Sequence, residues 1–468
     1  MDQDSTERIV TGLRAWVATA PPGAQVPPNR TLTAQYGASP VTVQKAMRRL
    51  AALGLVESRP GVGTFVRAAR APRPVDYGWQ TAALGSPRSR ATVLSSTQRS
   101  IAPDAIGLHS GYPSADLLPE QLVRQAVARA ARTDAGTTPS PAAGAPELQA
   151  WFAGELAAAT PAGVAPASAR DALITAGSQS GISSIFRAVV GRGRPLLIES
   201  PTYWGAILAA EQAGVDLVPI PAGPAGLDPE DVERAFAQTG ARALYAQPSF
   251  ANPTGVRWPA ETGRAILDVV RRHGAFLVED DWAHDLAIDA DPAPVAALDD
   301  EGHVIYLRSL TKSVSPALRV AAVIVRGPAR ERILTDRAAE SMHVSGLLQS
   351  AALDVVTRPG WRTHLRSLRE QLRARRDLLL HSLAEHAPGV TVETIPAGGL
   401  NLWARLAEGS DVDQVVRDCA ARGLVIAPGG EWFPAEPSGP YVRLNYGGEH
   451  VDRFPEAARI LGGVVAGI

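Results

Sequence analysis

Arg308-Ser309-Leu310-Thr311-Lys312-Ser313-Val314-Ser315-Pro316-Ala317-Leu318-Arg319 contains one of only two lysines in a chain of 468 residues with 44 arginines; the other is Lys45. An arginine guanidinium keeps its proton at neutral pH and cannot condense with an aldehyde. A lysine amine can, once its surroundings lower its pKa. Lys312 is therefore the single candidate for such chemistry after residue 45. It follows the apolar run Val304-Ile305-Tyr306-Leu307, which reads as a buried strand. Two hydroxyls, Ser309 and Thr311, precede it, and the cation Arg319 lies seven residues on. That group suits an aldehyde carrying a phosphate, which describes pyridoxal 5′-phosphate. A surface ammonium after a strand is the plainer reading, and the neighbouring motifs weigh against it.

Outward from this stretch, short apolar runs alternate with helical patterns from Ile106 onward. They include Leu173-Ile174, Pro195 to Ile198, Leu217 to Ile220, Ala243 to Tyr245, Phe276 to Val278 and Ala321 to Val325. The pattern predicts an α/β fold, a largely parallel sheet buried by helices on both faces. Ligands of such sheets sit at the carboxyl ends of the strands. The residues at those ends are Thr175-Ala176-Gly177-Ser178-Gln179, Glu199-Ser200-Pro201-Thr202-Tyr203, Gln247 to Gly255 with Asn252-Pro253-Thr254-Gly255, and Glu279-Asp280-Asp281-Trp282. A glycine before a helix start lets backbone N–H groups meet a phosphate, although the same string serves as a simple cap. An Asn amide can donate to a phenolate oxygen. A carboxylate buried at a strand end keeps a pyridine nitrogen protonated. Gly398 to Trp403 and Gly423 to Ala427 read as strands of a smaller C-terminal α+β subdomain. Arg358 to Ala387 reads as a long helix with Leu365, Leu368, Leu372 and Leu379 on one stripe; its arginines read as solvated, an accessory DNA surface being the alternative.

The net charge of −1 hides an asymmetry, for residues 30 to 73 hold eight basic residues against one acid, Glu57. A basic patch at one end suggests that this end meets a polyanion. There, Ile9, Leu13, Trp16 and Val17 give a first helix closed by Pro21-Pro22-Gly23. Asn29 is read as the cap of a helix ending at Gly37, and Ser39 as the cap of a third helix with Pro40 at its first position. In the third helix Val43, Ala46, Met47, Leu50 and Leu53 form the buried stripe, and Val41, Gln44, Lys45 and Arg48 face outward. Two short helices around a glycine turn make a helix-turn-helix, and an amide-and-cation face suits base edges and phosphates. Leu55 to Val66 then reads as two strands around Pro60-Gly61. Residues 67 to about 100, rich in Arg, Pro, Ser and Ala, read as a linker.

The lone cysteine, Cys419, excludes an internal disulfide and a cysteine-cluster zinc site, and the nine histidines show no metal-ligand spacing. The acidic start Met1-Asp2-Gln3-Asp4 is unlike a signal peptide, and no run of about eighteen apolar residues occurs, so a cytoplasmic protein without membrane contact is expected.

Residues 5–66 resemble the GntR-type winged helix, whose second-helix arginine and S-R-P-G-x-G-T-F-V wing stand here as Arg30 and Ser58 to Val66. Val62 departs from the basic residue frequent at the wing tip. The resemblance implies DNA contacts from Arg30, Ser39, Thr42, Gln44, Lys45, Arg48, Arg59, Gly61, Gly63 and Thr64. Residues 105–465 resemble a fold-type I aminotransferase, and the whole chain resembles the MocR subfamily of bacterial GntR-type regulators. Domains at 1–68 and 105–465, joined by a linker over 69–104, follow. The resemblance implies that Lys312 holds pyridoxal phosphate, Asp280 its pyridinium, Asn252 its O3′ and Tyr203 its ring face, with Pro253 also at the cofactor. Gly177, Ser178, Gln179, Ser309, Thr311 and Arg319 would surround its phosphate, and Arg443 would clamp an effector or substrate carboxylate. Trp282 stands where these regulators usually have a Tyr, and the strip Thr133 to Gly144 lacks their usual aromatic.

The function implied is a regulator of double-stranded DNA that senses the cofactor, an amino acid or another primary amine through an external aldimine, as a head-to-tail homodimer. A working aminotransferase with an attached DNA-binding domain uses the same residues and is the alternative. A dead enzyme domain is disfavoured because Lys312 remains.

Overall fold

The computed structural model describes residues 2–67, 80, 83 and 95–467, with side chains from residue 5 onward. The chain divides into Met1–Ser86 and Pro87–Ile468. Most of the expected linker, residues 68–94, lies outside the described residues apart from positions 80 and 83.

In the first unit, helices α1 (Asp2–Thr19), α2 (Asn29–Tyr36) and α3 (Pro40–Ala52) precede an antiparallel hairpin of β1 (Val56–Arg59) and β2 (Gly63–Val66). Ile9, Val10, Leu13, Leu32, Val43, Ala46, Leu50 and Val56 make its core. Ser39 caps α3, its Oγ accepting from the Thr42 N–H at 3.1 Å. Asn29 is not a cap: Pro28 precedes it at the cap position and Asn29 is the first helical residue. Leu53, expected in the core, is 52% exposed, because it lies beyond the end of α3 where the stripe has run off the packed face.

In the second unit the strands are β3 (Ile106–Gly107), β4 (Ala172–Thr175), β5 (Pro195–Ser200), β6 (Asp216–Gly223), β7 (Gly226–Leu227), β8 (Ala243–Ala246), β9 (Phe276–Asp281), β10 (Val304–Ser309) and β11 (Ala321–Ile324). Eight of them form one sheet in the order β4-β11-β10-β9-β8-β5-β6-β7. Its centre, β10, β9, β8, β5 and β6, is parallel, and β11 runs antiparallel to both of its neighbours. Period-two alternation divides the apolar side chains between the two faces. Leu173, Ile198, Tyr245, Val278 and Ile305 pack into one core, while Leu197, Leu244, Leu277 and Val304 pack into another. Consecutive residues at a strand end therefore serve opposite faces, which decides where Asp280 and Asp281 point.

The smaller subdomain holds β12 (Thr391–Val392), β13 (Asn401–Arg405), β14 (Leu424–Val425), β15 (Ala427–Pro428) and β16 (Tyr441–Asn445). Four of these form a sheet, β12-β13-β16-β15, and β14 pairs with β3. The long helix is Pro359–His386. Two of its arginines correct the expectation of a solvated charge. Arg375 is buried on Ser114, Asp116 and the Gly448 carbonyl, and Arg376 is buried on Asp289, Asp377 and the Pro396 carbonyl. Charged groups there are tolerated because each guanidinium is hydrogen-bonded and paired. No helix among the described residues is long and apolar enough to cross a membrane.

Residues 95–104, expected as tether, belong to the body of the second unit. Ser95 Oγ donates to Glu431 at 2.6 Å and the Ser96 N–H to the same carboxylate at 2.9 Å. Ser96 and Thr97 are buried.

Candidate functional site

The carboxyl ends of β5, β8 and β9 converge on a cleft lined by Ser178, Tyr203, Gln247, Asn252, Asp280, Trp282, Lys312 and Arg443, with Thr97, Gln98, Gly111, Tyr112 and Trp204. Asp280 lies near the end of β9 on the same face as Val278 and is 1% exposed. Its Oδ2 accepts from the Tyr245 hydroxyl at 2.7 Å and from Gln247 Nε2 at 2.8 Å, whereas Oδ1 has no partner. Burial pushes its carboxyl up to about 6. One oxygen is thus fixed and the other is left for a donor brought by a ligand. Asp281, one residue on, serves the opposite face, where its carboxylate holds Tyr306 and His284, each at 2.6 Å.

The loop before helix α4 (Ser178–Ile185) meets Arg319 closely. Gly177 has φ 80°, and a Cβ on it would lie 2.6 Å from Arg319 Nη2. Only glycine lets the guanidinium come so close to the backbone. Arg319 itself reaches the Ala176 carbonyl at 3.4 Å. Ser309 Oγ accepts from the Thr311 N–H at 3.1 Å, and Thr311 Oγ1, deeply buried, has no partner. Gln179 donates to the Gly205 carbonyl at 2.7 Å, leaving its Oε1 without a partner. A cation, free hydroxyls and helix-start N–H groups are the donor set an anionic group requires.

Lys312 reaches the cleft with its Nζ 3.3 Å from the Tyr112 ring centroid. Its pKa is pushed well below the ordinary lysine range, first by loss of water and then by the cations Arg443 and Arg319. Tyr203, its hydroxyl pushed up by burial, also lines the cleft, at the cap position of helix Trp204–Ala213. Asn252 donates its backbone N–H to Gln247 Oε1 at 2.8 Å, and its Oδ1 accepts from Arg443 Nη1 at 3.4 Å. Pro253 is buried behind it. Trp282 donates its indole N–H to the Phe250 carbonyl at 3.0 Å, so this ring braces the loop.

Arg443, on β16, closes the other end and is 1% exposed. It donates to the His109 carbonyl at 2.7 Å and the Ser110 carbonyl at 2.9 Å, and it lies 4.7 Å from the Trp432 ring centroid. Among the described residues no carboxylate pairs with it. Burial pushes its pKa down to about 9.

The structure thus brings Lys312, Asp280, Asn252, Tyr203, Ser178 and Arg443 around one cleft, with Gly177, Gln179, Ser309, Thr311 and Arg319 beside it. Reasoning from the sequence passed over Tyr112, Trp432 and the Thr97-Gln98 segment, and it gave no role to Tyr245 or Gln247, which it placed at a strand end. Gln247 carried a signal, a polar residue directly after the buried run Ala243–Ala246. The strip Thr133 to Gly144 contributes nothing to the cleft.

On the first unit, Arg30, Ser39, Gln44, Lys45, Arg48 and Arg59 are exposed. Thr42 is corrected: it is 3% exposed, its hydroxyl turned to Ser39 Oγ at 2.8 Å, because the third helical residue lies beneath its own cap. In the wing, Arg59 pairs with Glu57 at 2.5 Å and lies 4.8 Å from the Phe65 ring centroid. Gly61 and Gly63 supply positive φ at the turn, and Thr64 bonds Ser58 at 3.0 Å.

Residues 103–453 match the family "Aminotransferase class I and II", and residues 5–66 match "Bacterial regulatory proteins, gntR family". The uncharacterized HTH-type transcriptional regulator YdfD of Bacillus subtilis is 28% identical over 91% of this chain and 88% of that protein. The probable rhizopine catabolism regulatory protein MocR of Rhizobium meliloti is 28% identical over 91% of this chain and 86% of its own. The 2-aminoadipate transaminase of Thermus thermophilus is 29% identical over 80% of this chain and 93% of its own. Among solved structures, the α-aminoadipate aminotransferase LysN of Thermus thermophilus, complexed with N-(5′-phosphopyridoxyl)-L-leucine, superposes with a TM-score of 0.72 at 28% identity. That likeness covers 79% of this chain and 95% of that one.

Proposed function

We propose, from the premise that this chain belongs to the aminotransferase class I and II family and carries a gntR-family head, that it is a DNA-binding transcriptional regulator of the MocR type. It holds pyridoxal 5′-phosphate and answers to an amino compound. The observation that carries this reading is Lys312: the second unit's only lysine lies in the cleft, its proton disfavoured, together with Asp280, which has one oxygen without a partner, and Arg443, with which no carboxylate pairs among the described residues. The orphan oxygen of Asp280, the orphan hydroxyl of Thr311 and the Gly177–Arg319 approach fit the cofactor's ring nitrogen and phosphate.

When bound, pyridoxal phosphate supplies an aldehyde that takes up primary amines and a ring that draws electrons. The chain's residues do the rest. Lys312, whose proton is disfavoured by burial and by the cations Arg443 and Arg319, would be the nucleophile. Asp280 keeps a proton on the ring nitrogen above about pH 6. Arg319, Thr311, Ser309 and the N–H groups at Ser178 and Gln179 hold the phosphate, Asn252 donates to the phenolic oxygen, and Tyr203 and Tyr112 exclude water around the ring. An incoming amine competes with Lys312, and Arg443 favours amines that also carry a carboxylate.

An effector shifts the regulator only by binding two arrangements unequally. Arg443 is a source of that difference, since it contacts both Asn252 and the 109–110 backbone. The heads read double-stranded DNA through Gln44, Lys45 and Arg48, and the protein acts as a head-to-tail homodimer. Catalysed transamination is the second reading, favoured by the intact set of Lys312, Asp280, Arg319 and Arg443. The test is a screen of amino acids, ω-amino acids included, for changes in the bound cofactor's visible absorbance, then a DNA footprint with each hit. A hit that alters the footprint supports regulation. Steady turnover with an unaltered footprint supports the enzyme, and no absorbance in the presence of cofactor removes both.

A further inference from the structure

Gln247 opens the strand-end stretch Gln247 to Gly255 but has no role of its own in the sequence reading, yet its amide uses both ends inside the cleft. Its Nε2 donates to Asp280 Oδ2 at 2.8 Å and its Oε1 accepts the Asn252 N–H at 2.8 Å. Its own backbone N–H donates to Glu199 Oε2 at 2.7 Å, and the residue is 1% exposed. Strand parity explains the placement: Tyr245 and Gln247 are two apart and share a face, and β8 pairs with β9 so that this face meets Asp280. The amide has one orientation available, because a carboxylate demands its donor end and a backbone N–H its acceptor end.

We propose that Gln247 is a positioning residue that aligns, through one amide, the acid facing the cofactor's ring nitrogen and the asparagine facing its phenolic oxygen. The chain of contacts continues from Asn252 Oδ1 to Arg443 Nη1 at 3.4 Å. A single path of hydrogen bonds thus runs from the carboxylate clamp to the ring-nitrogen acid. Trp282 strengthens the dependence, since its N–H is committed to Phe250 and leaves Asn252 as the donor on that side. The amide also sets the strength of the acid: with Tyr245 it stabilises the ionised form of Asp280 against the burial that raises its pKa. The inference rests on the cofactor reading proposed above.

The experiment measures cofactor affinity by absorbance from pH 5 to pH 8.5 on the full chain, for wild type, Gln247→Leu and Gln247→Glu. Below its midpoint Asp280 must shed a proton before it faces a protonated ring, so affinity falls as pH falls through about 6. Gln247→Leu removes a charge-stabilising donor and moves this limb up by about one pH unit, about a tenfold loss below pH 6 relative to pH 8.5. Gln247→Glu keeps the shape and the acceptor for Asn252, places a second carboxyl beside Asp280, and moves the limb further. Should the leucine variant fail to fold, the glutamate variant alone carries the test. A lowered melting temperature with an unmoved limb in both variants makes Gln247 a packing residue and overturns the proposal. Absence of cofactor binding by the wild type overturns the cofactor reading, and this inference with it.

Discussion

Arg443→Met tests whether the buried guanidinium is kept for a ligand. Its donors Nη1 and Nη2 reach only neutral oxygens, those of Asn252, His109 and Ser110, and no acid among the described residues pairs with it. Its depressed pKa, about 9, means that folding leaves the charge less well solvated than in water. Because the unfolded chain binds that proton more tightly, the charge lowers stability at pH 7. Replacement by methionine, apolar and of similar length, should therefore leave the melting temperature unchanged or raised. A carboxylate supplied by an effector would meet this cation out of water. One partner of such a pair removed costs about 3–5 kcal/mol, or roughly 10²–10⁴ in affinity. The assay is a paired titration of the bound cofactor's absorbance with amino acids and with amines of the same length lacking the carboxylate. The amino acids should lose roughly 10²–10⁴-fold in the variant, and the plain amines less than about threefold, the comparison acting as a double-mutant cycle. An equal loss for both ligand classes would refute the clamp. A large drop in melting temperature would refute the argument that the charge is held at a cost.

Lys312→Ala should abolish the visible absorbance of bound cofactor while leaving far-UV circular dichroism unchanged; a retained band would move the covalent site elsewhere. Lys45→Ala and Arg48→Ala should each weaken DNA binding at every sequence and lower the salt slope by about one, measured by fluorescence anisotropy over a salt series; an unchanged slope would take α3 off the DNA. Glu199, buried and pushed up to about 7, binds a proton more tightly folded than unfolded. Its contribution is complete below about pH 4.5 and declines as pH rises through 7. The cofactor-free wild type should thus lose up to about 3 kcal/mol from this group between pH 5 and pH 8.5, and Glu199→Gln should flatten that limb in urea melts; parallel curves would exclude it.

Much of the site was legible in the order of residues because identity and local position carry it. A single lysine after residue 45, among many arginines, is a chemical fact before any folding, and motifs at strand ends follow from local alternation of apolar runs. Ser39 as a cap and the positive φ of Gly177 before a helix start are likewise short-range requirements of backbone geometry. Errors arose where local pattern met packing. Leu53 fits the stripe of α3 yet emerges past its end, and Thr42 has the type of a phosphate donor yet is buried under its own cap. Arg375 and Arg376 look like solvent charges in a helix but are covered by segments from residues 114, 289 and 396.

By itself, then, the sequence determined the two kinds of unit, the parallel sheet and the amine that defines the cleft, since each follows from residue chemistry or from periods of two and 3.6. Only the tertiary structure decided that Tyr112 covers that amine, that Trp432 faces Arg443, that Gln247 joins Asp280 to Asn252, and that Ser95 and Ser96 are fastened by Glu431. The reason is physical: these contacts join residues that are far apart in the chain or on different strands. Their energies depend on burial and hydrogen-bond direction, which no local run of residues specifies.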